Sequence, residues 1–253
     1  MYVERYLDFA RHVEIQILAD RHGNAVHLGA RDCSVQRRHQ KLIEESPAYG
    51  LPPGLADRMG EAAVRAALEV GYVGAGTFEF LVDGAGDYSF MEVNSRIQVE
   101  HPVTEMITGV DLVREQIRIA AGEPLGFAQG DVEFRGAAIE CRINVEDPER
   151  EFRPAPGTVT EFAPPGGPFV RVDTHAYPGY RVPAAYDSLL AKLIVWAPDR
   201  AQAVARMSRA LGEFRVEGPG VHTTIGFLDR VIASPPFTAG GYGTSILNDL
   251  RTT

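Results

Sequence analysis

The segment Phe90-Met-Glu-Val-Asn-Ser-Arg-Ile-Gln-Val-Glu-His-Pro102 gathers the side chains best suited to chemistry. From Glu92 every second residue is polar and functional: Glu92, Asn94, Arg96, Gln98, Glu100. Val93, Ile97 and Val99 lie between them. A period of two predicts an extended strand with alternate side chains on opposite faces. Two carboxylates, two amides and a guanidinium on one face suit a metal ion, an oxyanion and a proton acceptor. Half-exposed antiparallel strands alternate in the same way without any chemistry. A partner strand is needed to decide.

Thr77–Val82 and Tyr88–Val93 flank Asp83-Gly-Ala-Gly-Asp87, a glycine-rich turn signal. If the hairpin centres on Ala85-Gly86, Glu79 stands directly opposite Glu92. Facing carboxylates destabilise a sheet unless something positive lies between them. Mg²⁺ in phosphoryl-transfer sites is held by one or two carboxylates plus substrate phosphates. Glu79 and Glu92, assisted by Asn94, therefore read as a Mg²⁺ (or Mn²⁺) site. A pairing of His12 with Glu14 as a zinc site is set aside, because the strand offers no second ligand at suitable spacing.

The elements that must position these groups belong to a chain of 253 residues, long enough for one large or two smaller domains. A net charge of -9 argues against a nucleic-acid partner, and no apolar run approaches membrane-spanning length. The cluster Gln36-Arg-Arg-His-Gln-Lys41 is basic but short, and suits a phosphate or small anion better than a duplex. Cys33 and Cys141 follow no metal or disulfide spacing. They read as reduced thiols, which places the chain in the cytoplasm. The 25 basic residues include two lysines, Lys41 and Lys192.

Along the chain, His12–Leu18 and Asn24–Gly29 read as strands, and Pro52-Pro53 opens a helix to about Val70, ended by Gly71. A helix follows the carboxylate hairpin, with Asp111 as N-cap and Gly122 as C-cap. The pattern loosens from Glu123 to Arg135, giving a boundary between domains 1–130 and 131–253. Beyond it come a strand at Ala137–Asn144, short Pro/Gly-punctuated strands to Pro183, and an apolar strand at Leu189–Trp196. Helices follow at Asp199–Leu211 and Thr223–Ala233. Strands and helices mix without strict alternation, which predicts an α+β fold.

Arg11-His-Val-Glu-Ile-Gln16, Arg31-Asp-Cys-Ser-Val-Gln-Arg-Arg-His-Gln-Lys41, Gly74-Ala-Gly-Thr-Phe-Glu-Phe80, Glu92 to Glu105 and Glu140-Cys-Arg-Ile-Asn144 together resemble the biotin carboxylase family of ATP-grasp enzymes. The likeness runs over essentially the whole chain and is especially close to the biotin carboxylase portion of acyl-CoA carboxylases. It implies an ATP-grasp body, an antiparallel sheet with flanking helices, continuous with a biotin carboxylase C-terminal domain. It also implies ATP- and Mg²⁺-dependent carboxylation of biotin by bicarbonate, through carboxyphosphate. The biotin is borne by a biotin carboxyl carrier protein, and the further partners are a carboxyltransferase subunit and a second copy in a homodimer. No Met-Lys-Met carrier motif occurs in the chain itself.

By the same resemblance Glu79, Glu92 and Asn94 match the metal residues, and Glu100 the base that takes the bicarbonate proton. Such a base needs hydrogen-bond reach and a suitable pKa; a neighbouring Arg96 would keep it ionised. Lys41, Arg96, Gln98, the Val99 backbone and Arg142 match the bicarbonate pocket, and Arg142 also the group stabilising the biotin enolate. Glu4 and Leu7 match the adenine edge, His12, Gln36 and His39 the ribose and phosphate side, and Leu81 an apolar wall. Glu79 and Glu92 also face the ATP phosphates.

The family's N-terminal portion, with most of the mobile lid and its phosphate-holding lysines, has no counterpart in these residues. The expectation is a fragment, inactive alone. Two alternatives stand beside it: another bicarbonate-activating ATP-grasp ligase, as in carbamoyl phosphate synthetase relatives, and a non-catalytic dimerising or docking remnant. Glu140-Cys-Arg-Ile-Asn144 argues against the first, and a titration with MgATP separates the second.

Overall fold

The computed structural model describes Val3 and residues 6–250. Glu4 lies outside the described residues. Secondary structure runs β1 (Ala10–Ala19), β2 (Ala25–Arg37), β3 (Gln40–Ser46), α1 (Leu55–Glu69), β4 (Gly74–Asp83), β5 (Tyr88–Asn94), α2 (His101–Thr108), α3 (Leu112–Ala120) and β6 (Ala137–Asn144). It continues with β7 (Glu146–Asp147), β8 (Arg153–Pro154), β9 (Glu161–Ala163), β10 (Val170–Thr174), β11 (Leu189–Ala197), α4 (Arg200–Glu213), β12 (Arg215–Glu217), α5 (Ile225–Ile232), α6 (Pro235–Ala239) and α7 (Ile246–Asp249). No helix among the described residues is long and apolar enough to cross a membrane.

Eight strands form one antiparallel sheet in the order β10-β11-β6-β3-β2-β1-β4-β5. The sheet joins strands from both sides of residue 130, through the β3–β6 pairing. Helices cover both faces, so its central strands are buried all round. On one face Val13, Ile15 and Ile17 of β1 meet α1, whose Leu55, Met59, Ala63 and Ala67 recur every four residues. Each of the larger side chains, fully buried, contributes about 1.5–3 kcal/mol. The same face of β6 and β11, with Ile139, Cys141, Leu193 and Val195, takes α4 and α5.

The opposite face is covered by α2 and α3, through Val103 and Ile107 and through Leu112 and Ile119. Between α2 and the sheet, a layer of polar side chains lies beside a small apolar cluster of Val103, Ile107, Ala138 and Ile194. At the C-terminal end of β6, the Asn144 amide donates to Thr224 Oγ1, which itself donates to the Arg142 carbonyl, tying that strand to the start of α5.

Several elements differ from the sequence expectation. The strand expected to run through Glu100 stops at Asn94, and residues 95–100 turn into α2. Pro102, in the first turn of α2, lacks an N–H that this position leaves unsatisfied anyway, so the helix starts directly after Glu100. The expected helix from Asp111 forms as α3, and an unexpected helix, α2, precedes it, ended by Gly109 in a left-handed conformation (φ 71°). Asp111 caps α3, accepting the Arg114 amide at 2.8 Å. β2 continues to Arg37, well past Gly29, because Ala30, Arg31 and Asp32 pair with β1 and Asp32, Val35, Gln36 and Arg37 pair with β3.

Gly136 leads into β6 with φ 69°, and a Cβ there would lie 2.2 Å from the Ala197 carbonyl oxygen. Gly136→Ala is expected to lower stability by at least about 1–2 kcal/mol from the left-handed backbone alone. A lower urea midpoint with an unchanged slope is the check.

Candidate active site

The carboxylate hairpin forms with Glu79 directly opposite Glu92. Val82 pairs with Tyr88 and Phe80 with Phe90, a register centred on Ala85 that would leave Glu79 facing Met91. A bulge between Glu79 and Phe80 restores the pairing of the two carboxylates. Bulges of this kind re-aim side chains beside functional sites. Asn94 Nδ2 lies 3.0 Å from Glu79 Oε1 and 3.4 Å from Glu92 Oε1, so both oxygens converge on one point. This all-oxygen donor set fits a hard divalent cation, with the Asn94 amide turned to present its oxygen.

The centre of the polar layer is Lys41. Its ammonium lies 2.6 Å from Glu14 Oε2, 2.9 Å from Glu79 Oε1, 2.6 Å from Glu100 Oε1 and 3.4 Å from Gln98 Oε1. Those acceptors come from β1, β4 and the turn before α2. Glu100 is 2% exposed, and its other oxygen accepts Arg142 Nη2 at 3.0 Å. Gln98 Nε2 donates to Glu79 Oε1 at 3.0 Å. The turn carrying Gln98 and Glu100 is held by Lys192, which donates to the Val99 carbonyl at 2.9 Å, and by His101 Nδ1, 2.8 Å from the Gln98 carbonyl.

Arg31 lies deeper and is wholly buried. It donates to Glu14 (2.5 Å), Gln16 (2.7 Å), Thr104 (3.0 Å) and Thr77 (3.2 Å). Burial alone would raise the Glu14 carboxyl, but Arg31 and Lys41 overcome it and hold the pKa at about 2. Glu79, likewise penalised by burial, is brought to about 2 by His12, Lys41 and Gln98.

A cavity of about 600 Å³ adjoins this layer. Leu7, His12, Gln36, His39 and Leu81 all line it, so five of the residues expected on the nucleotide side share one space. Arg38 and His39 form the two-residue β2–β3 turn, both with positive φ (49° and 64°). That geometry matches the hairpin twist but favours Asn or Gly. Its use by Arg and His, which aims them along the cavity wall, is a strained placement of the sort found at ligand clamps. Gln36 Nε2 sits 2.6 Å from His12 Nδ1. His12 Nε2 lies 2.8 Å from Glu79 Oε2, an ion-pair distance without hydrogen-bond alignment. A continuous polar chain thus links the cavity to Lys41 and Glu100.

Two expectations need correction. Arg96 is exposed and donates to the Ile97 carbonyl at 3.2 Å; the cations against Glu100 are Lys41 and Arg142. With β5 ended at Asn94, the alternation that would have aligned Arg96 with Glu100 no longer operates. The ground for setting aside His12 and Glu14 as ligands also fails, since β4 brings Glu79 beside them and the three offer ligand atoms within 4.8 Å of one another. Lys41 and Arg31 already neutralise that cluster, whereas Glu92 is exposed and Asn94 half-buried, open to a cation with its water. Lys192, on β11, belongs to the site's scaffold.

Sequence reasoning passed over Arg31 and Glu44 and gave Glu14 and Glu140 no role in the site. For Glu14 and Glu140 a signal was available: each is flanked by apolar residues in a strand buried on both faces, where a charged side chain is rare unless paired. Arg31 and Glu44, next to Asp32 and Glu45, carry no such pattern.

The sign of two shifts sets the acid behaviour. Glu14 and Glu79 fall from 4.5 to about 2 on folding, so their stabilisation is complete above about 4.5 and is lost as pH falls through about 2. For fully buried Glu14 this amounts to about 3 kcal/mol. Glu14→Gln is expected to flatten the acid limb of a circular dichroism pH titration. Lys41→Met, which leaves three carboxylates without their shared cation, should cost about 3–5 kcal/mol in urea unfolding.

Comparison with known proteins accords with this geometry. Residues 1–128 match the carbamoyl-phosphate synthase L chain ATP-binding domain family, and residues 140–249 the biotin carboxylase C-terminal domain family. A biotin carboxylase from Nostoc is 56% identical over 251 residues, covering 99% of this chain and 56% of that protein. Biotin carboxylase 1 of Bacillus subtilis is 54% identical, covering 98% and 55%. The biotin carboxylase domain dimer of Hydrogenobacter thermophilus 2-oxoglutarate carboxylase, solved with MgADP, ADP and bicarbonate, superposes with a TM-score of 0.95 at 49% identity, over 98% of this chain and 54% of that one. The chain thus spans about half the length of these relatives. It belongs to the biotin carboxylase family of ATP-grasp proteins.

Proposed function

We propose that this chain supplies the metal, nucleotide and bicarbonate residues of an ATP-dependent biotin carboxylase acting on a biotin carrier protein. The observation that carries the reading is Glu100, a buried carboxylate gripped by Lys41 on one oxygen and Arg142 on the other, one polar chain away from the cavity.

ATP occupies the cavity, with its base near Leu7 and Leu81 and its phosphates toward His39 and the Glu79–Glu92 pair. Glu79, Glu92 and Asn94 would hold Mg²⁺, which when bound would offset charge on the phosphate oxygens. Bicarbonate lies against Lys41, Gln98, the Val99 backbone and Arg142, and Arg96 swings in from its exposed position to close on it. Glu100 takes the bicarbonate proton as the oxygen attacks the γ-phosphorus and ADP leaves. The resulting carboxyphosphate breaks into CO₂ and phosphate; the phosphate takes the ureido N–H proton, and the nitrogen attacks the CO₂. Arg142 meets the negative charge on the ureido oxygen through its donor fork.

The acceptor is proposed to be an acyl-CoA, reached through a carboxyltransferase partner. One relative at 49% identity is named for 2-oxoglutarate, so the comparison that decides is carboxylation of acetyl-CoA against 2-oxo acids in the assembled system.

Phosphoryl transfer depends on positioning and charge stabilisation. These residues span about half of their relatives. The 253 residues alone are therefore expected to fold and to show no ATP-dependent carboxylation of free biotin. Supplying the remaining portion, in cis or as a separate polypeptide, should restore it. Bicarbonate-dependent ADP release by the 253 residues alone would refute this. In the completed enzyme, Glu100→Gln should lower kcat by about 10²–10⁴-fold while leaving the KM for ATP nearly unchanged. A variant with normal turnover removes Glu100 as the base.

A further inference from the structure

Besides Glu14, two carboxylates of the polar layer lie outside this reaction scheme. Glu44 of β3 and Glu140 of β6 are cross-strand partners, so their side chains leave the same face with Cβ atoms about 4.5–5.5 Å apart. Both residues are fully buried. Glu44 Oε1 accepts Arg142 Nε at 2.6 Å. Glu44 Oε2 and both oxygens of Glu140 have no hydrogen-bond donor among the described residues. Ile194, opposite Glu140 on β11, and Ala138 join Val103 and Ile107 of α2 in an apolar cluster beside them.

Two full negative charges at that separation, with three oxygens lacking a donor, are unfavourable in such surroundings. A single proton removes one charge and supplies a missing donor. The charged groups facing the pair are Lys41 on β3, Arg142 on β6, Lys192 on β11 and Glu100 at the start of α2. Even so, burial pushes Glu140 far above the usual carboxylate range and lifts Glu44 to about 7, against the pull of Arg142.

We propose that Glu44 and Glu140 share one proton, and that this proton sets the charge behind Arg142, making the two acids positioning residues for an anion-binding guanidinium. With the proton in place, Arg142 divides its charge between Glu44 and Glu100 and keeps a share for an incoming anion. Without it, the dianion draws Arg142 toward β3 and adds a repulsive field. The positioning role rests on the reading of Arg142 as a bicarbonate residue; the shared proton does not.

Infrared spectroscopy of the full chain tests the proton directly. A carbonyl stretch from a buried protonated carboxyl is expected at pH 7, fading as pH rises and absent in Glu140→Gln. Calorimetric titration with bicarbonate, corrected for its ionised fraction, tests the consequence. Wild-type affinity should fall about tenfold between about pH 7 and 9, the equivalent of one pKa unit of coupling. Glu140→Gln, neutral at every pH, should show no such fall. Absence of the carboxyl band at pH 7, or equal pH slopes in the two proteins, would overturn the proposal. A band without bicarbonate binding at any pH would instead overturn the pocket reading, and the positioning role with it, while the shared proton stands. If Glu140→Gln does not fold, the wild-type band and its loss with pH decide the matter.

Discussion

A buried layer of charge between one face of the sheet and α2 constrains everything around it. Removing a carboxylate or guanidinium from water costs several kcal/mol unless partners replace the lost solvation. Arg31, wholly buried, finds acceptors on β1 and β4 and in α2. Lys41 finds three carboxylates on three different segments. Such a network tolerates no slippage. A one-residue shift of β1 would turn Glu14 and Gln16 toward α1 and send Val13 and Ile15 into the charged layer. The apolar core under α1 and α4 and the polar layer under α2 are therefore two consequences of one register.

That register explains what the sequence disclosed. The facing of Glu79 and Glu92 follows from a period of two and a glycine-rich turn, both visible in the chain. The α3 cap at Asp111, and the helices α1 and α4, follow from local patterns of the same kind. What stayed hidden is non-local. The turn from Asn94 to Glu100 keeps the alternation of a strand while its backbone has already left the sheet, and Pro102 was the one local sign of the change. The second cation on Glu100 comes from Arg142, 42 residues away on a strand that joins the sheet through β3. Periodicity shows which face a residue takes but not which strand becomes its neighbour. The family resemblance supplied Arg142 for the pocket and, for the same reason, placed Arg96 beside Glu100, where this structure does not bring it.

The layer also accounts for the relation between cavity and acid–base centre. His12, Glu14 and Gln16 are consecutive on one face of β1, so the same strand reaches from the cavity wall through the Lys41 cluster to Arg31. A charged group entering the cavity acts on Glu79 through His12, and Glu79 shares Lys41 with Glu100. In the proposed mechanism, coupling between nucleotide phosphates in the cavity and Glu100 as base then needs no moving element. It requires only that the ion pairs already present be redistributed.

The choice of cation at the hub follows from the same geometry. Only two of the 25 basic residues are lysines, and both serve this site. Composition alone would have supplied arginine at each position. An ammonium is a compact charge whose three donors radiate from one atom, so carboxylates from β1, β4 and the turn before α2 can each approach to within 2.9 Å. A guanidinium spreads its donors over a plane and pairs best with one carboxylate edge-on, as Arg200 does with Glu45 through Nε and Nη2. Arginine at position 41 would satisfy one carboxylate well and leave the others to face each other across the ring. Three converging acids demand a point charge, and in a chain otherwise written in arginine that demand is what keeps a lysine at 41.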